Sequence, residues 1–376
     1  MKKNVLHIID KHKNGGAEKI MLGTVNGLTD FNHHIICLSE FDNTCNELSN
    51  NVPLQAYHLN LDRNWDDLLW YYMRRFLKLN IGIPVVNYFR FKHRIRQKVE
   101  AYIAAHNIEI VHTHHFWSHF LSRNITVPGV KVFNTIHSQT SRASNAVKKL
   151  EKQSYRSGIK IIAVSATVLK DYEQVIGRPC NGTVVYNYIE NYFWNHTKLN
   201  YYQGGAVLKM VCVGRLSPEK NHLWLLKALA QYKGAYSLAI YGEGPLAESL
   251  ESYIVEHGLD VTIHEPIPNA EIGKRLVGYD LFLLPSTSEG NPLSMLEAMA
   301  CRLPVMVADI PVLREAGGDA VLYFKLDDPA QILEQLGRLA QNQYDLEALS
   351  GKAYEKVKNL AQKTTYMKRI SELYYS

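Results

Sequence analysis

A chain of 376 residues with 46% hydrophobic and 21% charged residues has the composition of a soluble globular protein and not of a disordered one. Its length exceeds what one compact core ordinarily serves, so two domains are expected. The five cysteines (Cys37, Cys45, Cys180, Cys212, Cys301) are scattered and form no C-x-x-C pair, which argues against a disulfide framework and a zinc site and for a reducing cytoplasm.

Read in chain order, short apolar runs alternate with amphipathic stretches, the pattern of an α/β protein with parallel sheets. The opening segment, Val5–Ile9, is too short for a secretory leader and runs into Asp10-Lys11-His12-Lys13, so it reads as a first strand. Gly15-Gly16 follows and opens a helix over Lys19–Leu28; glycines at such a turn let backbone N–H groups approach a phosphate, although the same turn is commonly structural. Further strands are expected at His34–Leu38, Gln55–Leu59, Ile110–His114, Lys131–Ile136, Ile159–Val164 and Thr183–Tyr186.

Two features of this half stand out. Arg74, Arg75, Lys78, Arg90, Lys92, Arg94, Arg96 and Lys98 interleave with aromatics across 65–99, and no acidic residue lies between Arg74 and Lys98. Such a stretch suits an anionic membrane surface, the bland alternative being a solvated helix face with its aromatics in a core. No nucleic-acid motif accompanies it, and no segment supplies about eighteen consecutive uncharged apolar residues for a spanning helix. His112, His114, His115 and His119 gather at a strand end. No nearby Cys, Asp or Glu completes a tetrahedral set, so no metal is expected. A ligand contact is expected of His114 and of His137 at the end of its own strand, and a structural role of the other three.

The polar, aromatic stretch 191–206, ending in Gly204-Gly205, reads as a linker between domains at 1–190 and 207–355, with 356–376 as a terminal helix. The strand pattern restarts at Leu208–Val213, Ser237–Tyr241, Val261–His264, Leu281–Leu284, Val305–Val307 and Ala320–Phe324, giving two Rossmann-like domains with ligand at the carboxyl ends of strands. Arg215 and Lys220 follow the first of these strands, a fork and a point charge suited to a diphosphate, or else a solvated loop with a surface ion pair. Gly242-Glu243-Gly244-Pro245 ends the next strand.

The segment that says most about chemistry is Ser288-Glu289-Gly290-Asn291-Pro292-Leu293-Ser294-Met295-Leu296-Glu297. Asn291 reads as an N-cap with Pro292 at the first helical position. Glu289 then precedes the helix and Glu297 lies inside it, roughly 9–12 Å apart along the axis. Between the two carboxylates sits a helix N-terminus, which favours a phosphate. Carboxylate, phosphate site, carboxylate is the order of groups that a nucleotide-sugar requires.

Together these motifs resemble the retaining GT-B glycosyltransferases of family 4. Glu289 and Glu297, Gly214-Arg215 with Lys220, Gly242-Glu243-Gly244-Pro245, Gly15-Gly16-Ala17-Glu18, Thr135-Ile136-His137-Ser138, Val164-Ser165 and Val185-Tyr186-Asn187 occur in family order over nearly the whole chain. The resemblance implies GT-B architecture, two Rossmann-like domains with a cleft between them, and a helix at the C-terminus that packs back toward the first domain. It implies that Arg215 and Lys220 neutralise the leaving diphosphate, that Glu297 binds ribose hydroxyls and that Glu289 lies by the donor sugar with Gly290, Pro292 and Leu293. Gly15-Gly16 would close over the phosphates and His137 would line the sugar end. Asn291 stands where members usually carry a bulky apolar residue. No D-x-D triplet occurs, so the cationic side chains are expected to do without a bridging metal. The implied activity is transfer of a sugar from a nucleoside-diphosphate sugar, UDP favoured, to a glycan or lipid-linked acceptor in cell-surface polysaccharide synthesis, on the cytoplasmic face of a membrane and with no further cofactor. A sugar-nucleotide epimerase and a non-catalytic sugar-nucleotide-binding scaffold are the alternatives.

Overall fold

The computed structural model describes residues 2–10, 15–38, 52–56 and 95–376. The basic aromatic stretch expected to meet a membrane falls outside these residues from 65 to 94, as does the end of the third expected strand.

The chain divides into two units, Met1–Val185 with Met367–Ser376, and Tyr186–Tyr366. The first is built on a parallel sheet in the order β3-β2-β1-β4-β5-β6-β7, from strands β1 (Asn4–Ile9), β2 (Asn32–Cys37), β3 (Leu54–Ala56), β4 (Ile110–Thr113), β5 (Lys131–Ile136), β6 (Lys160–Ala163) and β7 (Gly182–Val184). Helices α1 (Gly16–Gly27), α2 (Arg96–Ala105), α3 (Phe116–Ser122), α4 (Asn145–Ser154) and α5 (Ala166–Ile176) connect them. The central strands are short apolar runs because both sheet faces are covered: Val5, Leu6, Ile8 and Ile9 of β1 are fully buried. Burying each such side chain stabilises the fold by about 1.5–3 kcal/mol. Arg123 is also fully buried, where it is satisfied by Asn134, Glu151, Ser154 and Tyr172 at 2.5–3.0 Å.

The second unit repeats the plan with the order β10-β9-β8-β11-β12-β13. Its strands are β8 (Leu208–Val213), β9 (Tyr236–Tyr241), β10 (Val261–His264), β11 (Leu281–Leu284), β12 (Val305–Ala308) and β13 (Leu322–Phe324). Its helices are α6 (His222–Leu229), α7 (Ala247–Glu256), α8 (Asn269–Leu276), α9 (Leu293–Ala300), α10 (Pro311–Gly317), α11 (Pro329–Ala340) and α12 (Leu346–Leu360). A last helix, α13 (Lys363–Tyr375), passes back into the first unit at Met367. There the Tyr374 hydroxyl lies 2.6 Å from His112 Nδ1, its ring meets Phe31 and Phe133 edge-on, and Met367 lies over Gly27.

The stretch 191–206 differs from the linker expected of it. Asn191–Asn195 forms a 3-10 turn, Phe193 is fully buried in the second unit, and the buried Lys198 donates to the Tyr279 carbonyl at 2.5 Å and to Asp280 at 3.4 Å. Its aromatic residues supply core contacts that its polar composition conceals.

Candidate functional site

The second unit assembles most of the expected site residues at the carboxyl ends of β8, β9 and β11. After β8 the chain turns through Gly214 and Arg215 into a 3-10 turn, Pro218–Lys220, which Asn221 ends in the left-handed conformation that asparagine tolerates. Lys220 is thereby aimed at the segment after β11, where its Nζ contacts Glu289 Oε1 at 2.6 Å. Ser286 Oγ donates to the same oxygen at 2.7 Å. The Thr287 N–H and hydroxyl close onto the Glu219 carbonyl at 2.8 and 3.3 Å, tying the two loops together. Lys220 and Glu289 are largely buried, so this ion pair is screened far less than one in solution, whereas Arg215 is exposed.

The helix after Glu289 begins later than the sequence suggests. Its first backbone bond runs from Leu296 N–H to the Pro292 carbonyl, so Pro292 is the N-cap and Leu293 the first helical residue. Asn291 lies one residue outside, because a residue followed by proline is pushed away from helical backbone angles. The N–H groups of Leu293, Ser294 and Met295 precede the repeating helical bonds, as at any helix start. Glu297, fifth in α9, is buried.

Gly242 and Gly244 have a definite packing reason. A Cβ on Gly242 would stand 1.9 Å from the Gly214 carbonyl oxygen, and one on Gly244 would stand 2.4 Å from that of Leu216. Backbone bonds Gly214 N–H to Tyr241 O (3.0 Å) and Leu216 N–H to Glu243 O (2.8 Å) hold the two strand-end loops together. Lys220 thus rests on a loop that only glycine lets approach so closely.

In the first unit, Gly15 caps α1 and Gly16 is its first residue. The Glu18 carboxylate curls back to Gly15 and also lies 3.6 Å from His115 Nε2. Asp10, at the end of β1, caps α3 by accepting from Trp117 N–H at 2.9 Å and Ser118 N–H at 2.7 Å; burial nevertheless raises its carboxyl above the ordinary range.

Of the histidines, His114 differs from expectation. His114 is 2% exposed, and its ring nitrogens face His7 at 3.3 Å and His137 at 3.3 Å, so it does not itself present a nitrogen to a ligand. His137, half-buried just after β5, is the more accessible of the two. His112 is held between the Tyr374 hydroxyl and Thr135 Oγ1, both at 2.6 Å, and His119 donates to the Thr135 carbonyl. Among the described residues His7, His112 and His114 bring ring nitrogens within 4.8 Å of one another, a possible metal set that the sequence reading missed because His7 lies more than a hundred residues from the others. Each of these rings already has both nitrogens committed to protein partners. Burial, reinforced by neighbouring imidazoles, holds His7, His114 and His137 well below the usual histidine range and His112 at about 3. His7 and His33 are the functional candidates missed from sequence; their one signal is placement at alternate positions of adjacent strands.

Two Rossmann-like units, one of them setting a lysine–carboxylate pair beside a helix N-terminus at its strand ends, define an α/β protein of the GT-B class. Residues 14–191 match the family model described as Glycosyltransferase Family 4, and residues 208–342 match that described as Glycosyl transferases group 1. The chain belongs to the family 4 glycosyltransferases. Over 168 residues it is 33% identical to WcaL of Salmonella typhimurium, named for glycosyl transfer in colanic acid biosynthesis, with 41% of each chain covered. Over 100 residues it is 36% identical to TuaC of Bacillus subtilis, named for teichuronic acid biosynthesis, covering 27% of this chain and 24% of that one. The matched stretches therefore span less than half the length of these relatives. Anabaena HepE, solved in complex with UDP and glucose, shares the fold with a TM-score of 0.77 over 99% of each chain at 15% identity.

Proposed function

We propose that the protein is a retaining glycosyltransferase that moves a sugar from a nucleoside-diphosphate sugar, most simply a UDP-sugar, to a glycan or lipid-linked acceptor of a cell-surface polysaccharide. The observation that carries this reading is the Lys220–Glu289 pair, held beside the start of α9 with Glu297 inside that helix. WcaL and TuaC, named for polysaccharide biosynthesis, and HepE, solved with UDP, support it.

Breaking the bond from an anomeric carbon to a diphosphate develops negative charge on the leaving phosphate and positive charge on the sugar ring. Lys220, Arg215 and the N-terminus of α9 stabilise the phosphate, fixed in advance where reorganisation costs little. Arrival of a diphosphate gives Lys220 a second anion, and Glu289, still held by Ser286, turns toward the sugar hydroxyls. Glu297 binds the ribose, and Gly290 to Leu293 line the donor. Attack comes from the face that the leaving group departs, the donor phosphate takes the acceptor's proton, and the anomeric configuration is retained. With cationic side chains on the diphosphate, the reaction proceeds without a bridging metal. A lipid-linked acceptor fits the basic aromatic stretch 65–99, which would hold the protein at the cytoplasmic face of a membrane.

Lys220→Ala separates this reading from its alternatives. UDP release from a UDP-sugar in the presence of crude lipid acceptor is expected to fall by two orders of magnitude or more, with the melting temperature little changed; near-normal release removes Lys220 from the diphosphate. In the parent protein, isomerisation of the donor without acceptor would indicate an epimerase, and binding without turnover a scaffold.

A further inference from the structure

Four imidazoles form a continuous hydrogen-bonded chain through the sheet of the first unit. His33 Nε2 lies 2.9 Å from the Leu28 carbonyl oxygen, His33 Nδ1 lies 3.0 Å from His7 Nε2, His7 Nδ1 lies 3.3 Å from His114 Nε2, and His114 Nδ1 lies 3.3 Å from His137 Nε2. Strand register explains the alignment. His33 pairs with Val5, two residues before His7; His7 pairs with His112, two residues before His114. His112 in turn pairs with Phe133, four residues before His137. Residues in register share a face in a parallel sheet, as do residues two apart on one strand, so all four rings lie on one face. The chain runs from the start of β2 to just past the end of β5.

A carbonyl oxygen can only accept a hydrogen bond, and this gives the chain a direction. His33 must carry its proton on Nε2 to donate to Leu28. A neutral His33 then has a bare Nδ1, which accepts from His7 Nε2–H. The same step repeats at His7 and at His114, each ring donating from Nε2 and accepting at Nδ1. His137, last in line, is left with its proton on Nε2 and its lone pair on Nδ1. Burial lowers the proton affinity of all four rings, which keeps them neutral near pH 7.

We infer that the chain His33–His7–His114–His137 is a positioning device that locks His137 in the tautomer with a bare Nδ1, so that this position accepts from a hydroxyl of the substrate and rejects carboxylate or phosphate oxygens. His33, His7 and His114 act through His137 and touch no substrate. The lock stands on this geometry alone; assigning the hydroxyl to a sugar rests on the proposed glycosyl transfer. An imidazole without such a chain exchanges its two tautomers, so its Nδ1 is an acceptor in one and a donor in the other.

The test uses the full chain with 15N-labelled histidine and two-bond 1H–15N correlation spectra near pH 7.5, which report the protonated nitrogen of each ring. All four rings are expected as neutral Nε2–H tautomers, and the spectrum is expected to stay unchanged by chelator. A Nδ1–H tautomer or a charged ring at any of the four overturns the lock; a chelator-dependent pattern overturns it in favour of a metal on His7, His112 and His114. In His7→Phe the chain is cut, and His137 is expected to show both tautomers; a His137 still wholly Nε2–H in a folded variant removes the chain's role. If that variant does not fold, the parent spectrum still decides. Finally, UDP-glucose, UDP-galactose, UDP-N-acetylglucosamine and GDP-mannose are added in turn, with UDP as control. At least one nucleotide-sugar is expected to shift His137 Nδ1 where UDP does not, and no shift from any of them overturns the hydroxyl assignment while leaving the lock and the Lys220 result standing.

Discussion

A methyl group on Gly242 has nowhere to go. The contact of 1.9 Å that it would make is with a backbone carbonyl, Gly214 O, which cannot swing aside as a side-chain tip can. Gly242→Ala must therefore push the β9 loop off the β8 loop, an overpacking that costs about 1–3 kcal/mol. Lys220 rides on the displaced loop, so turnover is expected to fall together with the melting temperature. A thermal melt and a UDP-release assay on the same preparation check this, and an unchanged melting temperature would show that the loops separate freely. Gly15 makes the contrast. Its added Cβ would meet Glu18 Oε2, the far end of a flexible chain, so Gly15→Ala tests the turn without breaking the unit. A glycine pair at a strand end looks the same in sequence in both places, and only the atoms opposite it distinguish backbone packing from room for a ligand.

Elements were legible in sequence where burial on both faces makes a strand a plain apolar run. Leu281–Leu284, buried along its whole length, coincides with β11; Leu208–Val213, Lys131–Ile136 and Val261–His264 coincide with β8, β5 and β10 although each also carries polar or partly exposed positions. Lys220, Glu289 and Glu297 were likewise singled out, because motifs at strand ends are local in sequence. The imidazole chain was not, because it depends on register among β1, β2, β4 and β5, and the packed role of 191–206 was hidden because Phe193 lies in a short aromatic run bracketed by Asn191 and Asn195 and Lys198 reads as a solvated charge. The same sheet carries a pH prediction. His7, His112, His114, His119 and His137 are all lowered from 6.5 by burial, so below about pH 6.5 the unfolded chain takes up protons that the folded one refuses. Stability contributed by the neutral rings is present above that pH and is lost as pH falls, by at most about 1.4 kcal/mol per ring per pH unit. Asp10, raised by burial, works in the opposite sense below its folded value and offsets one ring's share at most. Urea midpoints at pH 7.5 and 5.5 check the sign: the midpoint is expected to drop at the lower pH, and an equal or higher one would show that the rings are charged in the fold.

At the scale of the whole molecule, the net charge of +6 is less telling than where it lies. Eight cations occur from Arg74 to Lys98 with no acidic residue among them, which exceeds the entire net charge and leaves the rest of the chain close to neutral. Among the described residues no helix is long and apolar enough to cross a membrane. Each lysine or arginine near an anionic bilayer contributes about 1 kcal/mol, and the effect fades within a Debye length of about 8 Å at physiological salt. Replacing Arg90, Arg94 and Arg96 by glutamate removes three attractions and adds three repulsions, a change of about 6 kcal/mol if all six terms act at full strength. The parent chain is expected to sediment with vesicles containing phosphatidylserine at low salt, to stay in solution with neutral phosphatidylcholine vesicles, and to lose the first interaction in the triple variant or at high salt. Equal sedimentation of parent and variant would mean that these arginines face protein or water and not lipid. The Lys220 result would stand whatever that outcome, since Lys220 and Glu289 lie in the second unit, and the acceptor would then be sought among free glycans.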